Sequence, residues 1–240
     1  VPCPPFSQAS KQLGKDDERD LFPEAIRLVG EIRPRAVMLE NVRGFLDPKF
    51  NDYREHILNS IRDLGYKVHI KLLNACDYGV PQLRPRVVIV GIRNDIKSEF
   101  EYPTPQPENT ATVGDTLKEL MGANGWHRID DWVLQADKIA PTIVGGSKKH
   151  GGPDLGPARA RKAWAELGVD GGGVANDAPT ENFEGMPRLT KEMIARIQGF
   201  PPEWNFGPKK TAACRMIGNA FPPPVACAVG KEIRRCLENG

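Results

Sequence analysis

The sequence predicts an α/β fold in which a partial doubly wound sheet is joined to a smaller, loop-rich domain. Three observations support this prediction. In the first 93 residues, stretches with apolar residues at helical spacing alternate with short apolar runs, the order typical of a doubly wound sheet. Residues 86–92 are almost continuously apolar, as in a strand buried on both faces. From about Asn94 the chain is rich in Gly, Pro and Lys with little periodicity, which predicts a second region built from loops.

The first part of the chain is predicted to contain two helices and three strands. The helices cover residues 21–32, ending before Pro34, and residues 50–64, closed by Gly65. The strands cover residues 36–39, 66–72 and 86–92. A doubly wound sheet usually has more strands than this, so the sequence predicts only part of such a sheet.

Helical patterning returns near the C-terminal end. Thr190 is a suitable N-cap for a helix that ends at Gly199. A last helix is expected after the three prolines at 222–224, with Val225 and Val229 on its buried face.

Composition excludes several classes of protein. The 240 residues have a formal charge of only +2, which does not by itself indicate a nucleic-acid partner. No run of eighteen apolar residues and no signal-peptide pattern occurs, so a cytoplasmic protein is expected. The five cysteines form no C-x-x-C pair, and the pattern indicates neither a metal site nor a disulfide framework. The absent initiator methionine suggests a processed or truncated chain.

Two residues are candidates for catalysis: Cys3 near the beginning of the chain and Glu40 after an apolar run. Cys3 lies between Pro2 and Pro4, which restrict the backbone around a thiol that is nucleophilic only as thiolate. The alternative is a cysteine without a chemical role in a Pro-rich terminus. Glu40 directly follows an apolar run, so it is expected at the carboxyl edge of a strand, where open α/β sheets bind ligands. The alternative for Glu40 is a solvated acid at a strand end.

Two further stretches have an unusual composition. Arg84 and Arg86 are two residues apart in an extended segment, so their guanidinium groups are expected to point to the same side. Residues 218–226 read Gly-Asn-Ala-Phe-Pro-Pro-Pro-Val-Ala, a turn that would let the backbone approach a ligand before a helix begins.

In order, these stretches resemble the blocks of the cytosine-C5 DNA methyltransferase family over nearly the whole chain. The matching blocks are residues 2–7 (nucleophile loop), 40–42 (ENV), 82–86 (Q-x-R-x-R), 188–201 (R-L-T with R-I-Q-G-F-P) and 218–226 (G-N-A-x-P-P). Pro4 departs from the family, since many members have Gln there. The resemblance implies a Rossmann-like methyltransferase sheet and transfer of a methyl group from S-adenosylmethionine to C5 of a flipped cytosine.

The resemblance also implies residue roles. The Cys3 thiolate would add to C6 of the base, Glu40 would hold its protonated N3, and Arg86 would hold its O2 edge. Arg84 would secure the nucleophile loop or the DNA backbone. The expected cofactor contacts are Pro2, Asn219 and Ala220. The expected contacts to double-stranded DNA are Ser7, Lys11, Lys148, Lys149, Arg159 and Arg161.

The same resemblance divides the chain into a catalytic domain of residues 1–93 plus 217–240 and a target-recognition domain of residues 94–216. The family's F-x-G-x-G cofactor turn would precede Val1 and is absent from this sequence. We therefore expect weak S-adenosylmethionine binding by this chain alone. We also expect a preceding segment or companion subunit that covers the strand after residue 35.

Two other functions stay open at this point. The chain could be a non-catalytic DNA-binding remnant or one subunit of a split enzyme, or it could act on tRNA as one branch of the family does. The long Gly- and Lys-rich region favours DNA. The absence of chromatin-type domains favours a bacterial restriction-modification enzyme in the cytoplasm, associated with the nucleoid through DNA.

Overall fold

A computed structural model describes residues 20–144 and 153–240, which divide into two compact units. Among the described residues, the first unit comprises residues 20–74, 85–104 and 227–240, and the second comprises residues 75–84, 105–144 and 153–226. Residues 75–84 and 217–226 thus belong to the second unit, whereas the sequence-based division assigned them to the catalytic domain.

The first unit contains a three-stranded sheet with helices. The strands are β1 (Ala36–Val42), β2 (Tyr66–Asn74) and β3 (Pro85–Arg93), in the order β1-β3-β2. Both neighbouring pairs are antiparallel, a pairing that the apolar pattern alone did not specify. The central strand β3 is buried from Val87 to Ile92, which explains its continuous apolar run.

Helices α1 (Phe22–Ile32) and α2 (Asn51–Asp63) form at the predicted positions. The buried side chains of Phe22, Phe45 and Ile57 form one cluster with Val37 of β1 and Val87 of β3. Burial of this apolar surface is the main favourable contribution to the fold of the first unit. It also provides a rigid support for the end of β1.

His69 of β2 is a half-buried residue of this unit whose Nε2 atom is shielded from solvent. Its ring makes an edge contact with Phe100, 5.3 Å between centroids, and its Nε2 has no hydrogen-bond partner within the described ranges. Burial lowers the pKa of His69, which Glu99 opposes and Lys67 reinforces. The folded protein therefore binds this proton less readily than the unfolded chain.

We expect the free energy of unfolding to fall as pH drops from 7.5 to 5.5. The contribution of His69 is fully retained above its unfolded pKa of about 6.5 and is lost as the pH falls through its lower pKa in the folded protein. Urea titrations of His69→Phe should show a smaller decrease than the parent. His56→Phe, at an exposed position of α2, is the control. An equal decrease in parent and His69→Phe would contradict the expectation.

The second unit is built from helices. They are α3 (Val113–Met121), α4 (Ile129–Gln135), α5 (Ala158–Glu166), α6 (Lys191–Ile197) and α7 (Lys210–Asn219). The expectation of a loop-built middle region was wrong for α3, α4 and α5. Thr112 and Asp115 form a capping box at α3, and Val113, Leu117 and Met121 are buried on one face, a local signal that the sequence does contain.

Two glycines of this unit allow close backbone approaches. A Cβ at Gly114 of α3 would lie 2.5 Å from the carbonyl oxygen of Val133 in α4, so no larger residue fits there. Gly199 follows α6 with φ +85°, the left-handed conformation predicted for a helix end. Thr190 caps the start of α6, as predicted, by accepting a hydrogen bond from the N–H of Met193.

The last helix, α8, spans Pro223–Glu238 and begins within the proline run, because a proline in the first turn leaves no N–H unsatisfied. Its residues Val225, Val229 and Cys236 are buried. None of the helices in residues 20–144 and 153–240 is long and apolar enough to cross a bilayer.

Candidate active site

Glu40 and Arg86 form an ion pair on one face of the sheet. Glu40 lies opposite Val88 and Val42 lies opposite Arg86, so the two charged side chains are diagonal neighbours across β1 and β3. The Arg86 Nε donates to Glu40 Oε1 at 2.8 Å. Glu40 is inside β1, two residues before its end, and the prediction that it follows the strand was wrong by that margin.

The pair is partly shielded from solvent. The side chain of Glu40 is 22% exposed and that of Arg86 is 12% exposed, and Arg86 Nη1 also donates to the carbonyl oxygen of Pro85 at 2.9 Å. Because each group is held by a directed hydrogen bond, the orientation of the carboxylate is set by the sheet. Such a carboxylate can accept or share a proton with a ligand at this end of β1.

Asn41 stabilises the strand end next to Glu40. It is 1% exposed, and its Oδ1 accepts a hydrogen bond from the N–H of Val42 at 2.9 Å. A turn of 3-10 helix then begins at Arg43. The buried amide therefore supports the backbone that carries the Glu40–Arg86 pair.

Arg84 belongs to the second unit and is fully buried there. Its Nη1 donates to the carbonyl oxygen of Ile143 at 2.8 Å. Its Nη2 donates to the carbonyl oxygens of Gly218 at 2.6 Å and Ala220 at 3.0 Å. These contacts leave no exposed guanidinium for a DNA phosphate, and the expected contact of Arg84 with the nucleophile loop stays a prediction because that loop lies outside the described residues.

The two arginines therefore have different partners, although the sequence predicted that their guanidinium groups point together. Arg86 contacts Glu40, whereas Arg84 contacts backbone carbonyl groups. The strand β3 begins at Pro85, so Arg86 lies inside the sheet and Arg84 directly precedes it.

Asn219 and Ala220 lie at the end of α7. Asn219 is its last residue and is exposed. Ala220 follows as C-cap, and its carbonyl oxygen accepts hydrogen bonds from Arg84 and from Gln198. The stretch that was predicted as a turn thus contains the C-terminal end of α7, where buried side chains donate hydrogen bonds to the backbone.

The candidate DNA contacts Arg159 and Arg161 lie on α5 and are exposed. The side chain of Arg161 covers Gly171, whose added Cβ would meet it at 3.1 Å. The adjacent turn is held by Asp170, which accepts from Arg188 Nε at 2.7 Å. The Arg188 guanidinium is the main cause that lowers the pKa of Asp170, and the N–H of Gly172 adds to it.

Several predicted residues fall outside the described residues. They are Pro2, Cys3, Ser7, Lys11, Lys148 and Lys149. Their predicted roles stay predictions.

Two other cysteines are poor candidates for a nucleophile. Burial raises the pKa of Cys214 to about 11. Burial, with the neighbouring charge of Asp77, also raises the pKa of Cys76. A thiol with a raised pKa contains little of the reactive thiolate at neutral pH.

Sequence reasoning missed two buried glutamines. Gln82 and Gln198 are both 0% exposed, and Gln82 Nε2 donates to Gln198 Oε1 at 2.7 Å. Both residues lie inside the family motifs, but no local pattern in the sequence indicates that side chains 116 positions apart form a hydrogen bond.

Comparison with known proteins agrees with the motifs. Residues 1–235 match the model of the family described as C-5 cytosine-specific DNA methylase. The chain is 57% identical over 240 residues to the type II methyltransferase M.NaeI of Lentzea aerocolonigenes, covering 99% of this chain and 58% of that protein. It is 53% identical over 241 residues to M.NgoMIV of Neisseria gonorrhoeae, covering 99% and 76% respectively. This chain thus spans between about half and three quarters of these two relatives.

Solved structures show the same fold. A DNMT2 mutant of Spodoptera frugiperda matches with a TM-score of 0.58 at 15% identity, covering 99% of this chain and 77% of that chain. The methyltransferase EhMeth of Entamoeba histolytica matches with a TM-score of 0.56 at 14% identity, covering 98% and 74%. The predicted α/β methyltransferase fold is confirmed, and the chain belongs to the C-5 cytosine-specific DNA methylase family.

Proposed function

We propose that this protein is a DNA (cytosine-5-)-methyltransferase of a bacterial restriction-modification system. The main structural support is the Glu40–Arg86 pair, which places a carboxylate and the guanidinium that donates to it side by side, near the end of β1 and the beginning of β3. N3 and O2 of a cytosine are both acceptors, so in this arrangement Arg86 would donate to O2 and Glu40 would carry the proton that it shares with N3. Membership of the family supports the same activity.

In this proposal Cys3 is the nucleophile. Its thiolate adds to C6 of the base, which makes C5 electron-rich enough to attack a methyl group. Loss of the C5 proton and expulsion of the thiolate then restore the aromatic ring. Dividing the reaction in this way replaces one difficult step by easier ones.

Glu40 and Arg86 would act on the opposite edge of the ring. The carboxylate of Glu40 holds the proton at N3, so the negative charge that develops when the thiolate adds is neutralised there. The guanidinium of Arg86 orients this carboxylate through its Nε and donates to O2 of the base. Fixed partners of this kind cost little reorganisation when the charge develops.

S-adenosylmethionine would supply an electrophilic methyl group when bound. Among the described residues, Asn219 fits its methionine end, since the amide is exposed at the end of α7 and can donate to a carboxylate. Ala220 fits only as a packing surface, because its carbonyl oxygen already accepts from Arg84 and Gln198. Pro2 stays a predicted contact.

The substrate would be double-stranded DNA with the target cytosine flipped from the stack, because the chemistry cannot reach C5 inside a duplex. The exposed Arg159 and Arg161 of α5 support DNA contact by the recognition domain. Ser7, Lys11, Lys148 and Lys149 are proposed contacts on sequence grounds. We place the protein in the bacterial cytoplasm, associated with the nucleoid through this contact.

We also propose that a further segment, from the same polypeptide or a companion subunit, completes the cofactor site. In the described part of the chain β1 pairs with β3 on one side, and its Met38 is 39% exposed. An apolar edge strand of this kind is usually covered. The segment expected there carries an F-x-G-x-G turn.

Covalent trapping tests the proposed activity. A random-sequence DNA duplex with 5-fluorocytosine in one strand is incubated with the protein and S-adenosylmethionine, since fluorine at C5 blocks release of the thiolate. We expect a complex that survives denaturing electrophoresis. Cys3→Ala should abolish it, and Cys227→Ala, at an exposed cysteine, should retain it.

Trapping by Cys3→Ala as strong as by the parent would contradict the nucleophile assignment. Absence of any complex with the parent would contradict the proposed activity. The same assay on residues 1–240 alone, with and without a polypeptide that carries the F-x-G-x-G turn, tests the need for a further segment.

A further inference from the structure

A chain of three hydrogen bonds crosses the interior of the second unit. It runs from the N–H of Ile143 to Gln82 Oε1 at 2.8 Å, from Gln82 Nε2 to Gln198 Oε1 at 2.7 Å, and from Gln198 Nε2 to the carbonyl oxygen of Ala220 at 2.8 Å. Both glutamines are 0% exposed. We call this chain the glutamine relay. Burial makes each of its hydrogen bonds hard to replace by water.

The two ends of the relay determine its direction. The N–H of Ile143 can only donate and the carbonyl group of Ala220 can only accept. Gln82 must therefore present its oxygen to Ile143, and Gln198 must present its NH₂ group to Ala220. The remaining amide groups then meet as donor and acceptor, so every member of the relay has one self-consistent orientation.

The relay ends beside the exposed Asn219. The last carbonyl groups of a helix have no hydrogen-bond partner within that helix, and here buried side chains donate hydrogen bonds to them. Arg84 donates to Gly218 and Ala220, on either side of Asn219, and Gln198 donates to Ala220. The backbone around Asn219 is thus held from the interior, while its side chain faces solvent.

We propose that Gln82 and Gln198 are positioning residues that set the orientation of Asn219 toward the methionine end of S-adenosylmethionine. This inference rests on the proposed function. It predicts that a broken relay weakens cofactor binding specifically, because Gln198 acts through Ala220 on the residue next to it. The chemical step and DNA binding depend on other side chains.

Gln198→Glu and Gln198→Met both break the relay at neutral pH. A change in pH distinguishes them, because only Glu can gain a proton. An ionised Glu at position 198 still accepts from Gln82 but has no proton for Ala220. When protonated, it accepts from Gln82 and donates to Ala220, so the relay is restored. Burial raises the pKa of this carboxyl group, whereas the buried guanidinium of Arg84, which donates to the same carbonyl oxygen of Ala220, lowers it; in either case the protonated fraction grows as the pH falls. Met can do neither at any pH.

The experiment measures the Kd for S-adenosylmethionine by isothermal titration, which should change in parallel with the KM, and transfer of tritiated methyl groups to random-sequence duplex DNA. Both measurements use the full gene-encoded protein and each variant, at pH 8 and pH 6. At pH 8 we expect both variants to raise the KM for S-adenosylmethionine about five- to tenfold, because both lose the hydrogen bond to Ala220 and one hydrogen bond corresponds to a ratio of about this size. The kcat and the KM for DNA should stay within about twofold. Relative to the parent, the KM of Gln198→Glu should be lower at pH 6 than at pH 8, because more of its carboxyl group is protonated, and the KM of Gln198→Met should stay raised.

A simple loss of folded protein gives a different result. It lowers the apparent kcat, while the remaining folded enzyme keeps its normal KM. That result, an unchanged KM in both variants, or the same pH dependence for Glu and Met, would overturn the inference. Gln106→Glu and Gln106→Met are the matched controls, because Gln106 is exposed in the same unit. If the parent transfers no methyl group, the proposed function fails; if the parent is active and the variants match it, only the relay fails.

Discussion

Glu40→Gln is expected to lower kcat for methyl transfer about 10²- to 10⁴-fold, the usual contribution of a positioned acid or base. The KM for DNA should change less than about threefold. Gln has nearly the shape of Glu and can still accept from Arg86, so the sheet around the ion pair should be retained. It cannot carry the proton shared with N3 of the base, and the thiolate of Cys3 would then add to a ring whose developing charge is not neutralised.

Single-turnover transfer of tritiated methyl groups, with enzyme in excess over DNA, measures this effect without product release. Glu101→Gln is the matched control, since Glu101 is exposed in the same unit, and its kcat should equal that of the parent. A Glu40→Gln enzyme within threefold of the parent would show that Glu40 has no part in proton transfer. The Glu40–Arg86 pair would then be a structural contact only.

Arg84→Met is expected to lower the free energy of unfolding of the second unit by about 2–4 kcal/mol. The substitution removes a fully buried guanidinium and its hydrogen bonds to Ile143, Gly218 and Ala220. Gln198 still donates to Ala220, but the carbonyl groups of Ile143 and Gly218 lose the Arg84 donor in the interior. An unsatisfied buried polar group costs about 1–3 kcal/mol, and two are left here.

Urea titration followed by tryptophan fluorescence measures this loss, because Trp126, Trp132, Trp164 and Trp204 all lie in the second unit. Arg215→Met provides the control: Arg215 is exposed on α7, and its replacement should shift the free energy by less than about 0.5 kcal/mol. If Arg84→Met is as stable as Arg215→Met, the hydrogen bonds of Arg84 do not hold the second unit together.

Most of the first unit could be predicted from the sequence, because its elements carry strong local patterns. The spacing of apolar residues located α1 and α2 to within two residues at each end. The unbroken apolar run of β3 correctly indicated a strand buried on both faces. These patterns arise within a single element, so no knowledge of distant contacts was needed.

The middle region was harder to predict because its helices are short and separated by Gly- and Pro-rich stretches. Helices α3 and α5 have nine residues each and α4 has seven, and the surrounding composition is that of loops. Helices of this length depend on tertiary packing for their stability. In the second unit, Trp132 of α4 and Trp164 of α5 are both buried in one cluster.

The sequence by itself determined the family and the candidate chemistry, because ordered motifs such as those containing Glu40 and Arg86 keep their residue types and spacing. Only the tertiary structure decided what each candidate contacts. It paired Arg86 with Glu40, and it buried Arg84 among backbone carbonyl groups, one of them 134 positions away. Two arginines that are two residues apart thus have different environments. Burial and hydrogen bonding are settled by groups that approach from distant parts of the chain, which local spacing does not encode.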